Sequence, residues 1–356
     1  MSERNSVLTS ARERPAIEVR ELDAPSVTKW NEFVATSPEA TFYHRSEWKT
    51  VIERVFGHST HYLLAEAEGK IEGVLPLGHI RSRLFGNALI STPFCVYGGV
   101  AASSTRARLA LEEAAEALAE RLGVDYLEHR DQLKGGADWP SKDLYVTFKK
   151  KIDPDPDDNL RAIPRRQRAM VRKGIKAGLE SQLDDDVDRF FEAYAQSVHN
   201  LGTPVFSKKL FITLREVFGR DCEILTVTKD DRVVGSVLSF YFRDQILPYY
   251  GGGTKEARAV AGNDFMYWEV MRRACERGVR LFDYGRSKRG TGAFSFKKNW
   301  GFEPKPLPYK YRLVKAKDIP NVSPLNPKYR IFVNMWKRLP FSLSKILGPP
   351  ISRNLG

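Results

Sequence analysis

An internal repeat constrains this chain more than any other feature. Three local patterns occur twice, in the same order. The first is a strand–turn–strand signal. Tyr62-Leu63-Leu64-Ala65 leads through Glu68-Gly69-Lys70 to Gly73-Val74-Leu75, and Ile224-Leu225-Thr226-Val227 leads through Asp230-Asp231-Arg232 to Gly235-Ser236-Val237. Both read as β-hairpins with polar turns. The second is Val96-Tyr97-Gly98-Gly99 against Tyr249-Tyr250-Gly251-Gly252, each read as the end of a strand. The third is Gly123-Val124-Asp125-Tyr126-Leu127-Glu128 against Gly278-Val279-Arg280-Leu281-Phe282-Asp283. The copies lie 162, 153 and 155 residues apart. Near-constant spacing over three anchors implies two copies of one unit. Each unit has an antiparallel hairpin, a strand ending in Gly-Gly, a crossover helix (105–122 and 263–278) and a further strand. A strand–helix–strand step requires a parallel pair within an otherwise antiparallel sheet. The expected fold class is α/β, or α+β with mixed sheets.

With 356 residues, the chain has room for two such units. We expect a first domain over 15–150, a second over 151–315, and a basic C-terminal tail over 316–356, helical only at 327–339. The boundary is set by Lys151-Ile152-Asp153-Pro154-Asp155-Pro156, where two prolines among acids suit a linker. No apolar run approaches the ~20 residues of a membrane span, and the N-terminus lacks the apolar core of a secretory signal. Three widely spaced cysteines fit a reducing compartment, so a cytoplasmic location is expected.

Net charge is +13, and its distribution matters more than its size. Residues 161–176 hold seven basic side chains and no acid; residues 305–356 hold eleven against one acid. The remainder is slightly acidic. The basic elements point to an anionic partner: a phosphate-bearing ligand, nucleic acid or a membrane surface.

Three segments are candidates for chemistry. In 164–176, Arg165 and Arg168 share a broad basic arc with Arg166, Arg172, Lys173 and Lys176, opposite Met170, Val171 and Ile175. That arc is either a solvated helix face or a pyrophosphate-capturing one, for which the arginine fork is suited. In 283–292, Asp283 is followed by Arg286, Lys288 and Arg289, then Gly290 and Gly292. This reads as a loop leaving a strand and opening a helix, a natural anion site. Three consecutive glycines, Gly251, Gly252 and Gly253, mark either a ligand's approach or a bulge. The first copy has only Gly98-Gly99, so the second half is expected to be the active one. No histidine or cysteine cluster forms a metal constellation, and none is expected.

The duplicated unit, the Arg/Gly-rich segment after Asp283 and the run Phe296-Lys297-Lys298-Asn299-Trp300-Gly301 resemble the FemAB-like proteins. These are peptidoglycan-bridge aminoacyltransferases made of two tandem GNAT-type acyl-CoA N-acyltransferase domains. Ser91-Thr92-Pro93-Phe94-Cys95-Val96-Tyr97-Gly98-Gly99 and Asn263-Asp264-Phe265-Met266-Tyr267-Trp268 are similar to the branch associated with exosortase/PEP-CTERM and exopolysaccharide systems. The resemblance implies acyl or aminoacyl transfer to an amine of a cell-envelope precursor, small or lipid-linked. It implies Lys297 as the cation that stabilises developing charge, with the Arg286/Arg289 segment on the donor. Asp283, which ends a repeated strand, is from its position either a catalytic acid–base or cation-orienting group or a plain polar strand end. It implies no tightly bound cofactor and a co-substrate that is acyl-CoA or aminoacyl-tRNA; DNA is not an expected partner. The GNAT acyl-CoA pattern Gln/Arg-x-x-Gly-x-Gly/Ala is not met at Ser287–Gly292 or at Gly251-Gly252-Gly253. A non-catalytic scaffold of the same system is the alternative. The tail mixes cations with Ile331, Phe332, Met335, Trp336, Phe341 and Leu343, which suits either an anionic membrane surface, peripheral to the inner membrane, or the acidic body.

Overall fold

The computed structural model describes residues 15–82, 86–132, 138–319 and 327–355, with backbone alone at 327–330. Its strands are β1 (Glu18–Glu21), β2 (Ser59–Ala67), β3 (Lys70–Ser82), β4 (Gly86–Ser91), β5 (Ala101–Ala102), β6 (Tyr126–His129), β7 (Ser141–Lys142), β8 (Tyr145–Lys151), β9 (Glu180–Asp184), β10 (Cys222–Lys229), β11 (Arg232–Phe242), β12 (Gln245–Gly253), β13 (Leu281–Lys288), β14 (Pro304–Pro306) and β15 (Tyr309–Leu313). The helices are α1 (Val27–Thr36), α2 (Glu47–Val51), α3 (Thr105–Leu122), α4 (Pro156–Ala162), α5 (Arg165–Lys176), α6 (Asp188–Leu201), α7 (Lys208–Phe218), α8 (Gly262–Glu276), α9 (Gly292–Asn299), α10 (Pro327–Trp336) and α11 (Phe341–Ser352).

The repeat is real in three dimensions. One sheet runs β1-β2-β3-β4-β6-β15-β7, with β5 added beside β3; the other runs β9-β10-β11-β12-β13-β8-β14. Both hairpins close through two residues with positive φ, Glu68-Gly69 (50° and 76°) and Asp230-Asp231 (48° and 62°). Such left-handed pairs match the twist of the flanking strands. The crossover helices α3 and α8 make the parallel pairs β4·β6 and β12·β13. α3 starts at Ser104, whose side chain accepts from Ala107 N, and stops at Gly123 in the left-handed region.

The sheets exchange a strand. In each, the next-to-last position is filled from the other half of the sequence: β15 pairs with β6, and β8 pairs with β13. The expected division at 150/151 therefore runs through β8, a strand of the second sheet. The reason is burial. Val146 and Phe148 of β8 are fully buried in the second core, while Tyr309 and Tyr311 of β15 are buried in the central one.

That central core joins the halves. Phe42 stacks on Phe240 with centroids 4.5 Å apart and lies 4.6 Å from Phe218; Tyr43 lies 5.4 Å from Tyr249. Aromatic pairs of this kind add to the area they bury.

Two local expectations change. β4 stops at Ser91, so Gly98-Gly99 lies beyond the strand in a loop and is not the counterpart of Gly251-Gly252, which β12 contains. Residues 283–288 are not a loop; they complete β13. Of the expected tail, 320–326 and 356 lie outside the described residues. The rest holds two helices, α10 and α11, where only 327–339 was expected to be helical. Among the described residues no helix is long and apolar enough to cross a membrane.

Candidate active site

β12 and β13 pair only at Gln245↔Leu281 and Ile246↔Phe282, then diverge. β13 turns toward β8 through a register shift between Asp283 and Arg286, with Gly285 in the left-handed region at φ 64°. Beyond Phe282 the facing edges of the two strands lack ladder partners in each other, at the carboxyl ends where open α/β sheets place their ligands.

Charged side chains line this bulge. Asp283 is 1% exposed. Its Oδ1 accepts from Gly285 N at 2.7 Å and from the Tyr97 hydroxyl at 3.4 Å, and Oδ2 lies 3.3 Å from Lys149 Nζ. Tyr97 also bonds Thr147 and lies under the Lys149 ammonium, 4.6 Å from ring centroid to Nζ. The first half thus supplies a residue to the second half's acid.

Lys297 reaches back from α9, whose N-cap Thr291 accepts from Phe294 N. Its Nζ donates to three carbonyl oxygens of the bulge, those of Tyr284 (2.6 Å), Gly285 (3.2 Å) and Arg286 (3.0 Å). An ammonium has three N–H donors, and these acceptors use all of them. Burial pulls the Lys297 ammonium down to about 8; Asp283 opposes that shift and Arg286 adds to it.

Arg286 is a cation without an acid. It donates to the Tyr309 hydroxyl at 3.1 Å and stacks over Tyr145 at 4.7 Å. It forms no ion pair with any described residue. Lys288 Nζ lies 5.4 Å from the Tyr145 ring centroid, and burial lowers its ammonium. Tyr309 also sits 5.7 Å from Arg130, a buried guanidinium satisfied by Glu128 (2.7 Å) and the Cys95 carbonyl (2.7 Å). An unpaired guanidinium between two phenols is suited to a carboxylate or phosphate.

The remaining expected residues fall elsewhere. Arg289 is exposed and lies 3.5 Å from Asp143; Gly290 and Gly292 are exposed at the turn into α9. Gly251, Gly252 and Gly253 stand in regular pairing with β11, so they are not a bulge. They let the protein's own elements close on β12. A Cβ on Gly252 would fall 2.2 Å from Ser197 Cβ of α6, and one on Gly253 would fall 2.6 Å from Ala257 Cβ. Arg165 and Arg168 line an outward groove of α5 with Arg172, Lys173 and Lys176. No hydrogen bond or ion pair among the described residues joins them to Asp283, Arg286 or Lys297. The buried stripe of α5 is Gln167, Val171 and Gly174, and Ile175, expected on the apolar side, is half exposed.

One segment escaped the sequence reading. Between β12 and α8 lies Arg258-Ala259-Val260-Ala261-Gly262-Asn263. Its first position fits the acyl-CoA pattern, and its fourth, Ala261, holds φ 58°, a conformation that favours glycine. Gly262 packs so tightly that a Cβ would fall 2.4 Å from Val234 Cγ1. The segment delivers the N-terminus of α8, with its unpaired N–H groups, to the end of β12. Only Arg258 meets the pattern, because alanine stands at its fourth position and Asn263 at its sixth, and so little signal was present in the sequence here.

The sheet order, the split parallel pair and the helix after it define a fold: two GNAT-type units in tandem. Residues 165–298 match the acetyltransferase (GNAT) domain family. The chain is similar in structure to FemX, with a TM-score of 0.66, 15% identity, and coverage of 89% of this chain and 100% of that one. It is also similar to a tandem GNAT protein from the clavulanic acid biosynthesis pathway (TM-score 0.53, 15% identity, 85% and 100% coverage). A third likeness is to the C-terminal domain of a putative lysylphosphatidylglycerol synthetase from Agrobacterium fabrum (TM-score 0.54, 11% identity, 83% and 92% coverage). No curated protein sequence matches the chain. At these identities the likenesses establish the fold, which is that of a tandem GNAT protein.

Proposed function

We propose that the protein is an N-acyltransferase whose second half binds an activated acyl donor in the slot between β12 and β13. The observation that carries this reading is the split of that parallel pair, with the N-terminus of α8 at its mouth. A helix N-terminus attracts a pyrophosphate, and Arg258 stands at the first position of the loop leading into it. The donor is acyl-CoA in this reading; an aminoacyl-tRNA would use the basic face of α5 instead.

In acyl transfer, a neutral amine attacks the donor carbonyl, the carbonyl oxygen gains negative charge, and the thiolate or ribose oxygen leaves with a proton. Arg286, cationic and unpaired, is placed on β13 to meet an anionic group of donor or acceptor. Lys297 keeps its positive charge directed at the bulge. Asp283 holds Lys149 and the Tyr97 hydroxyl, so its role is to position one cation and one phenol. Fixed charges of this sort act where charge grows in the transition state. The acceptor class is an amine of a cell-envelope or exopolysaccharide precursor. Support for this class, and for an exosortase/PEP-CTERM setting, comes from the sequence stretches at 91–99 and 263–268.

Calorimetry with acetyl-CoA tests the donor. Binding that weakens at least roughly tenfold in Arg258→Ala supports the slot, a loss typical of a charged phosphate contact. Binding of charged tRNA alone redirects the donor to an aminoacyl ester. Binding of neither favours a non-catalytic scaffold, a reading supported by the three carbonyls that occupy Lys297 and by alanine at position 261.

A further inference from the structure

The C-terminal segment meets the body with its small residues inward. Along α11 the buried positions are Ser344, Gly348 and Ser352, spaced by four. Gly348 lies so close to the body that a Cβ would fall 2.7 Å from Val205 Cγ1, and Ser352 Oγ donates to the Val205 carbonyl at 3.1 Å. Phe341 at its start packs against the central core, but three large apolar side chains of the same helix face out: Leu343 is 44% exposed, Ile346 68% and Leu347 44%. α10 differs in burying its largest side chain, Trp336, but it too leaves Ile331 and Met335 about two-thirds exposed. A helix that has only a protein body to cover it turns its large apolar residues inward. Seven of the thirteen exposed large hydrophobics of the described residues lie in 327–355, so the exposure is concentrated there, not scattered.

The segment is also tied to both halves of the body. His58 Nε2 of the first half bonds the Arg353 carbonyl at 2.6 Å, and His199 Nε2 of α6 bonds the Leu339 carbonyl at 3.0 Å. Lys345 pairs with Glu192 at 2.8 Å. It is therefore a strap fixed to both halves.

Charge identifies what covers the outer face. From 327 to 355 the sequence has six cations and no acid, and Lys337, Arg338 and Arg353 are exposed. We propose that α10 and α11 form a docking face for an anionic phospholipid bilayer. Leu343, Ile346 and Leu347, with Ile331 and Met335, enter the acyl boundary, and the exposed cations meet lipid phosphates. A second copy of the chain fits less well, because a two-fold contact would set the same acid-free strap against itself. Of the two sequence readings of the tail, packing on the body is what the small face of α11 does; lipid at the large face is the proposal.

Docking does not depend on the acyl-transfer reading. It does orient the protein, because a cleft of about 490 Å³ lined by Glu192, Gln196, Val233, Thr254 and Phe341 opens beside the strap, at the end of β12.

Flotation of the full chain with vesicles tests the proposal. We expect binding to phosphatidylcholine vesicles containing phosphatidylglycerol, none to phosphatidylcholine alone, and a decline as salt screens the headgroups. A variant combining L343S, I346S and L347S should partition at least roughly tenfold less, since three aliphatic anchors are lost. Its thermal unfolding should match that of the unmodified chain. L109S, at an exposed leucine of α3, should bind normally. Failure of the unmodified chain to float, or equal flotation of the triple variant, overturns the proposal. So does sedimentation showing a dimer that the triple variant converts to monomer, because the face would then belong to a second copy.

Discussion

The ammonium of Lys297 ends on three backbone carbonyls, and this changes what its removal would do. Read from sequence, the residue was a free cation for a transition state. In the structure it also fastens the β13 bulge. Lys297→Ala should abolish transfer and cost about 1–3 kcal/mol of stability, because buried acceptors lose their donor. Chemical denaturation alongside an activity assay separates the two effects; unchanged stability would mean the carbonyls are served by water. His44 gives a second expectation. Its Nδ1 accepts from Thr41 N at 3.0 Å and its Nε2 lies 2.8 Å from the Gly99 carbonyl, an arrangement that needs the neutral ring. Burial lowers its pKa to about 4. The unfolded chain takes up this proton below about 6.5 and the folded one does not, so stability falls as pH drops from 6.5 toward 4. The full loss at this site is roughly 3 kcal/mol. A urea midpoint that stays level from pH 7 to 4.5 would contradict this.

At the scale of elements, the hairpins and crossover helices were legible because their signals are local. Turn residues that tolerate positive φ, serine at a helix start and glycine at its end act within a few positions. β13 was legible only in part. Gly285 and Arg286 read as loop residues, yet the bulge they form keeps the strand going to Lys288. What glycine does at a helix crossing was not legible at all, since the partner is distant in sequence. Gly174 of α5 lies so close to α8 that a Cβ would fall 2.7 Å from Phe265 Cβ. Gly174→Ala should therefore destabilise the protein by about 1–3 kcal/mol, despite alanine's better helix propensity. A raised Tm in this variant would show that the helices can part without cost.

For the whole molecule, the repeat gave two units, but the strand exchange was hidden. Nothing in an alternating apolar strand specifies which of two similar sheets it joins. The same limit hid the meeting of Tyr97 with Asp283, which are far apart in the chain and come from different halves. A fragment of residues 15–150 lacks β15 and carries β8 with no sheet to enter. We expect it to be insoluble or unfolded by circular dichroism; a cooperative unfolding transition would show that the first sheet closes without its borrowed strand.

The exchange also fixes an order of events during synthesis. The first sheet is translated almost entirely before the second begins, yet the strand that flanks β6 is among the last segments of the body to leave the ribosome. Until then the edge of β6 stays open and β8 waits for β13. The N-terminal half cannot mature while the chain is still growing, and both halves must close together after residue 313 has emerged.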